Sequence, residues 1–119
     1  MNSAVSQSEW PWPDSLDALV AAPRHHLLRF ENDRVRVLET AIPAGDTVSL
    51  HTHRWPAIYH LTAWSHFVRR DEKGNILFDS RTRPEPAVPC VLWSEPLPPH
   101  TLENVGQTLL HLVSVELKG

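Results

Sequence analysis

The sequence predicts an all-β domain, a sandwich or closed barrel built from short strands. Three observations carry this reading. From His25 onward the pattern changes to a period of two, as expected for strands with one packed face. The stretches with that period are short and are separated by turn-forming clusters such as Asn32-Asp33, Pro43-Ala44-Gly45-Asp46 and Asp71-Glu72-Lys73-Gly74-Asn75. Eleven prolines against four glycines in 119 residues disfavour long helices and suit strands joined by stiff turns.

Taken in order, residues 1–24 read as an extended arm with a short helix, and residues 25–119 as a single β-barrel domain. Residues 1–7 are small and polar and are expected to be disordered. Trp10-Pro11-Trp12-Pro13 cannot sit inside a helix. Its two indoles are expected to lie on the barrel or on a neighbouring subunit. Asp14 reads as an N-cap with Asp17 at the third helical position. Leu16, Leu19 and Val20 then recur at helical spacing until Pro23 ends the element.

Strands follow at 27–31 and 34–42 around Asn32-Asp33, with Val35 and Val37 on one face. The next is Thr47–His53, whose histidine face also carries Thr47 and Ser49, which predicts a wet pocket beside it. Arg54-Trp55-Pro56 interrupts the strand and 57–62 resumes it. Further strands are read at 64–70, 76–79, 90–93 and 107–117. Residues 82–89 form an irregular connection, and the proline-rich segment 94–99 a stiff turn.

Composition excludes several classes of function. One domain is all that 119 residues accommodate. A formal charge of −3, with 11 Lys+Arg against 14 Asp+Glu and no basic run, argues against nucleic acid as an obligatory partner and points to a small molecule or a protein. No apolar run approaches the roughly 20 residues of a membrane helix, and residues 1–12 lack the features of a secretion signal. With Cys90 as the only cysteine, a reduced cytoplasmic protein is expected, its thiol a packing or surface group. No Ser-His-Asp order, phosphate loop or Cys-His pairing supports hydrolysis by a side-chain nucleophile.

The chemistry gathers at His51 and His53. Residues i and i+2 of a strand point to one face, so both imidazoles can reach a single divalent metal. A third candidate is His100, in Pro96-Leu97-Pro98-Pro99-His100-Thr101-Leu102-Glu103-Asn104, ahead of another strand. Three neutral imidazoles around an octahedral ion leave positions for water, O2 or a chelating substrate.

These two segments resemble the two motifs of the cupin family. Gly45, His51 and His53 match the first, and His100 with Asn104 matches the end of the second; the resemblance spans about residues 33–117. It implies an all-β cupin double-stranded β-helix, a jelly-roll barrel with the metal inside. The sequence departs from the family where the usual glutamate ligand would fall, at Pro56, Ala57 or Ile58, and where glycines are expected near Ala63 or Trp64 and at Leu97-Pro98-Pro99. A three-histidine metal site of His51, His53 and His100 therefore remains. Such a site is similar to those of cupin dioxygenases that act on small chelating substrates, with ferrous iron the leading metal and nickel, manganese or zinc behind it. A non-catalytic metal- or ligand-binding module, serving as sensor or regulatory subunit, and a metal-free barrel are the alternatives. The family also implies a homodimer, with residues 10–13 as a candidate contact.

Other residues have expected roles. His60, if in phase with His53, is a fourth ligand, a general base or a partner of a ligand, and otherwise a hydrogen-bonded residue of the barrel wall. Trp55 is placed at the pocket rim, where Arg54 could grip a carboxylate or enolate or else lie in solvent. Glu103 could orient a ligand histidine. His66 and His111 are read as structural, and His25 and His26 as surface residues.

Overall fold

The computed structural model describes residues 10–119; the expectation for residues 1–7 lies outside the described residues. Nine strands are arranged as two antiparallel sheets facing each other: β1 His26–Glu31, β2 Val35–Ile42, β3 Thr47–His53, β4 Ala57–Ala63, β5 Phe67–Arg70, β6 Ile76–Asp79, β7 Cys90–Ser94, β8 Leu97–Asn104 and β9 Leu110–Leu117. The five-stranded sheet has the order β1-β2-β9-β4-β7 and the four-stranded sheet the order β3-β8-β5-β6. The chain thus switches sheets repeatedly. This is a jelly roll, in which residues distant in sequence meet between the layers.

Turn chemistry ties the sheets where the sequence predicts. Asn32 Oδ1 accepts from the amides of Arg34 and Val35, both at 2.8 Å, and closes the β1–β2 hairpin. Gly74, at φ +85°, and the Asp71 carboxylate, which accepts from the amides of Lys73 and Asn75, close the β5–β6 turn. Strand β2 alternates cleanly: Arg36, Leu38, Thr40 and Ile42 are buried, whereas Val35 and Val37 share the opposite, half-buried face. The apolar core centres on Ala22, Ile42, Val48, Leu61 and Leu110.

Two local expectations are corrected. The α-helix, α1, is the single turn Ala18–Ala21, capped by Asp17, whose carboxylate accepts from Leu19 N at 3.0 Å; Asp14 begins a separate 3-10 turn over Asp14–Leu16. Both aspartates can cap, and Asp17 prevails because Arg36 also holds its carboxylate. The predicted stiff turn at 94–99 gives way to strand at Leu97, so Pro98 and Pro99 lie within β8. The arm, with Trp10 and Trp12 in edge contact at 4.7 Å, lies on its own barrel, where Trp10 and Pro13 share a groove with Arg36 and Trp55.

Asn104 clamps the end of the barrel. Its side chain, 1 % exposed, accepts from Ser65 Oγ (2.7 Å) and Gly106 N (3.0 Å) and donates to the carbonyls of Ile42 (2.8 Å) and Thr108 (2.9 Å). Asn104→Ala takes the side-chain partner from four polar groups, of which those of Ser65 and Ile42 are buried. It is expected to lower stability by about 3 kcal/mol, measured as a shift of the urea midpoint, without direct effect on the histidines described below.

Candidate metal centre

Four histidines converge between the sheets. His51 and His53 share one face of β3; His100 stands opposite His51 in the β3–β8 register; His26 enters from the first position of β1 in the other sheet. Ring centroids lie 4.8 Å apart for His26–His51, 4.9 Å for His51–His53, 5.3 Å for His26–His53 and 4.3 Å for His51–His100. The candidate ligand atoms of His26, His51 and His53 all lie within 4.8 Å of one another.

The hydrogen bonds fix the tautomers. Carbonyl and carboxylate oxygens only accept, so the ring nitrogen that meets one must carry the proton. Nδ1 donates to Ala22 O in His26 (3.0 Å), to Ser49 O in His51 (2.7 Å) and to Pro98 O in His100 (2.7 Å). In His53 it donates to Glu116 Oε2 (3.1 Å). In its neutral form each of the four rings is thus left with Nε2 as a lone-pair donor. His51 Nε2 and His53 Nε2 are 3.2 Å apart. Two lone pairs at that distance repel, so the contact is held either by a proton on one of the two rings or by a metal ion between them. The spacing falls between the roughly 3.0 Å and 3.4 Å that right-angle and tetrahedral ligands subtend at bonds of about 2.1 Å. Neutral imidazoles with Nδ1 anchored and Nε2 free are what a divalent transition ion requires; His26, His51 and His53 lie close enough to share one, and His100, 4.3 Å from His51 and 5.8 Å from His53 between ring centres, stands beside that group of three.

Burial keeps His26, His51 and His100 neutral. It pushes His26 down to about 4 and His100 down to about 3, with the neighbouring imidazoles adding to the effect, and it depresses His51 further still. In the metal-free protein this couples to stability. Between pH 6.5 and about 4 the unfolded chain takes up a proton at His26 that the folded chain refuses, so stability falls as pH falls through that window. His26 alone accounts for about 3 kcal/mol. The urea midpoint of metal-free protein is expected to drop steeply between pH 7 and pH 5.

Behind His53 lies a buried ionic chain. Glu116, 0 % exposed, binds His53 through one oxygen and Arg36 Nε through the other (2.6 Å), and Arg36 in turn grips both oxygens of Asp17 (3.0 and 2.8 Å). Burial pushes the Glu116 carboxyl up, but the His53 hydrogen bond and the Arg36 charge outweigh it and hold the group below its ordinary range. The chain links a histidine of the cluster to the cap of α1.

The sequence reading of this region needs several corrections. His26 is buried, 5 % exposed, because β1 begins one residue earlier than expected and turns the ring inward. His25 is also buried, with Nε2 2.9 Å from Asp46 Oδ2. The face of β3 beside the histidines is not polar: the register slips between Val48 and His51, so Val48 points inward while Thr47 and Ser49 are exposed. His60 is exposed on the outer face of β4, in register with Val91 and Val113, because Tyr59 and Leu61 take the inward positions. His60→Ala should leave metal retention unchanged when metal content is measured after chelator challenge.

Arg54 and Trp55 do not reach the cavity. Both border the outer groove, where Arg54 lies 3.5 Å from Asp14 and Trp55 packs against Arg36 and Lys118. Glu103 pairs with Arg70 at 2.8 Å and points away from the histidines, since its neighbour Leu102 takes the inward position. His66 bonds Ser80 Oγ, and His111 bonds Glu39 and Thr62. No carboxylate occupies positions 56–58.

The histidines form one wall of a cavity of about 500 Å³ enclosed mainly by apolar side chains, among them Ile42, Leu61, Trp64, Phe67 and Leu112. Tyr59 and Arg69 are the other polar groups of note; burial pushes the Tyr59 phenol up.

No family model and no curated protein matches the sequence. Solved structures do. A cupin domain from Bordetella pertussis Tohama I superimposes with a TM-score of 0.63 at 17% identity, over 79% of this chain and 92% of that one. An RmlC-like cupin family protein with a double-stranded β-helix fold from Methanocaldococcus jannaschii gives 0.53 at 10% identity, over 77% and 79%. The DMSP lyase DddQ from Ruegeria pomeroyi DSS-3 gives 0.51 at 10% identity, over 98% of this chain and 55% of that chain. At these identities the likeness establishes the architecture, a cupin double-stranded β-helix, and leaves the reaction to be argued from the site. Among the described residues no helix is long and apolar enough to cross a membrane.

Proposed function

We propose that this cupin-fold chain is a mononuclear metalloenzyme, its ion held by Nε2 of His26, His51, His53 and His100 and its substrate a small organic molecule taken into the apolar cavity. The observation that carries the reading is the shared tautomer: every ring gives its Nδ1 proton to a fixed acceptor and leaves Nε2 free, and the ligand atoms of His26, His51 and His53 lie within 4.8 Å of one another. A core histidine with a purely structural task has no need of that arrangement four times over.

Four imidazoles leave two positions of an octahedral ion open, and a bound ion supplies there a Lewis-acidic point where a chelating substrate and O2 can meet. Ferrous iron is the favoured ion, with nickel, manganese and zinc as alternatives. The chain's own contribution is positional. Ala22, Ser49, Pro98 and Glu116 lock the ring orientations, and the apolar walls limit access of bulk water to the reacting groups.

The test is direct. Protein purified without a histidine tag and reconstituted anaerobically with Fe(II) is offered diketones, thiols, enols and catechol-like compounds in an oxygen electrode. Uptake that depends on both iron and organic substrate is expected. Iron-loaded protein that consumes no O2 with any of the four classes contradicts the oxygenase reading.

A further inference from the structure

The cavity beside the histidines is electropositive in a protein whose net charge is −3. Its wall contains no aspartate or glutamate; beyond the histidines and Tyr59, its ionisable groups are Arg69 and Arg83. Glu116, the acidic group nearest the histidines, is already committed to His53 and Arg36.

Arg69 is the unusual member of the set. It projects from β5 opposite Leu102 of β8, two residues along the same inward row from His100, which places it about 7 Å further along the barrel than the metal-facing ring. Among the described residues it has no carboxylate partner, and its buried Nε has no hydrogen-bond acceptor. Its guanidinium rests instead against Phe67 and Phe78, 6.0 and 5.6 Å from their ring centres. Arg83 lies 5.5 Å from the Phe78 ring at the mouth. Burial works against the Arg69 charge. A guanidinium whose buried Nε lacks an acceptor is costly to maintain, and a bound anion removes that cost.

We infer that Arg69 is the anchor of an anionic subsite, and that the substrate is a small organic acid whose carboxylate pairs with Arg69 while its other end reaches the histidine centre. This rests on the metal reading above and narrows it: the substrate class is an acid with an apolar body and a second donor atom. Tyr59, whose hydroxyl bonds that of Ser94, stands beside the subsite as a further donor.

Full-length protein, metal-free and zinc-loaded, is titrated calorimetrically with phenylacetate and with its uncharged counterpart phenylacetamide. Wild type is expected to prefer the carboxylate by about ten- to a hundredfold in both forms. Arg69→Met should abolish the preference in the metal-free form. Arg69→Lys, which keeps the charge but not the fork, should retain part of it, and thermal unfolding of both variants checks that they fold. A preference undiminished in the metal-free Arg69→Met protein, or no preference in wild type, overturns the inference. Metal content of the same samples separates the two claims. Wild type that takes up no ion yet shows an Arg69-dependent preference refutes the metal site and upholds the subsite. An ion-loaded protein indifferent to charge does the reverse.

Discussion

Replacing His26 by Ala is expected to weaken transition-metal binding by more than the roughly 10–100-fold typical of residues that only orient a ligand. The ring is donated by the first residue of β1, is 5 % exposed and lies 4.8 Å from His51 between ring centres. Competition against a chelator of known affinity measures the effect. A second readout follows from its burial: because His26 is held near pKa 4, its removal should also blunt the acid sensitivity of the metal-free protein between pH 6.5 and 4. A variant with wild-type metal affinity would make the centre a three-histidine one.

Glu116→Gln is expected to cost about 3 kcal/mol of stability and to loosen metal binding by roughly 10–100-fold. The carboxylate, 0 % exposed, receives protons from His53 Nδ1 and Arg36 Nε at 3.1 and 2.6 Å. Glutamine preserves the shape, so the loss reports charge rather than volume. Asp17 remains to hold Arg36, which keeps the penalty below that of a wholly abandoned buried cation. Denaturant unfolding at pH 7.5 gives the stability term and chelator competition the affinity term.

What could be read from the sequence follows from how local each feature is. The strand pattern, the turns at Asn32 and Gly74 and the joint facing of His51 and His53 depend on residues within a few positions of one another, and the structure contains all three. Asn104 had a motif to point to it, but its part as a fourfold clamp needed the third dimension. His26 stayed hidden because His25-His26 stand at the junction of helix and strand, where a shift of one residue decides which ring turns inward. His60 turns on the same arithmetic, since it faces the pocket only if β4 keeps the phase of β3, and the break at Arg54-Trp55-Pro56 lets β4 restart out of phase, in the other sheet.

Glu116 and Arg69 carry almost no local signal. Each belongs to a strand whose partner is remote in sequence, and only the sheet register brings Glu116 to Arg36 and Arg69 to Leu102. A charged residue within an otherwise apolar stretch such as Leu110–Leu117 is the one hint the chain offers, since a buried carboxylate must find a cation.

X-ray absorption at the K-edge of cobalt-loaded protein tests the central claim most directly, because imidazole rings leave a countable multiple-scattering signature around the ion. Close to one cobalt per chain with about four imidazole nitrogens in its shell is the expected result. Two or fewer imidazoles, or cobalt held only loosely and below stoichiometry, would contradict it.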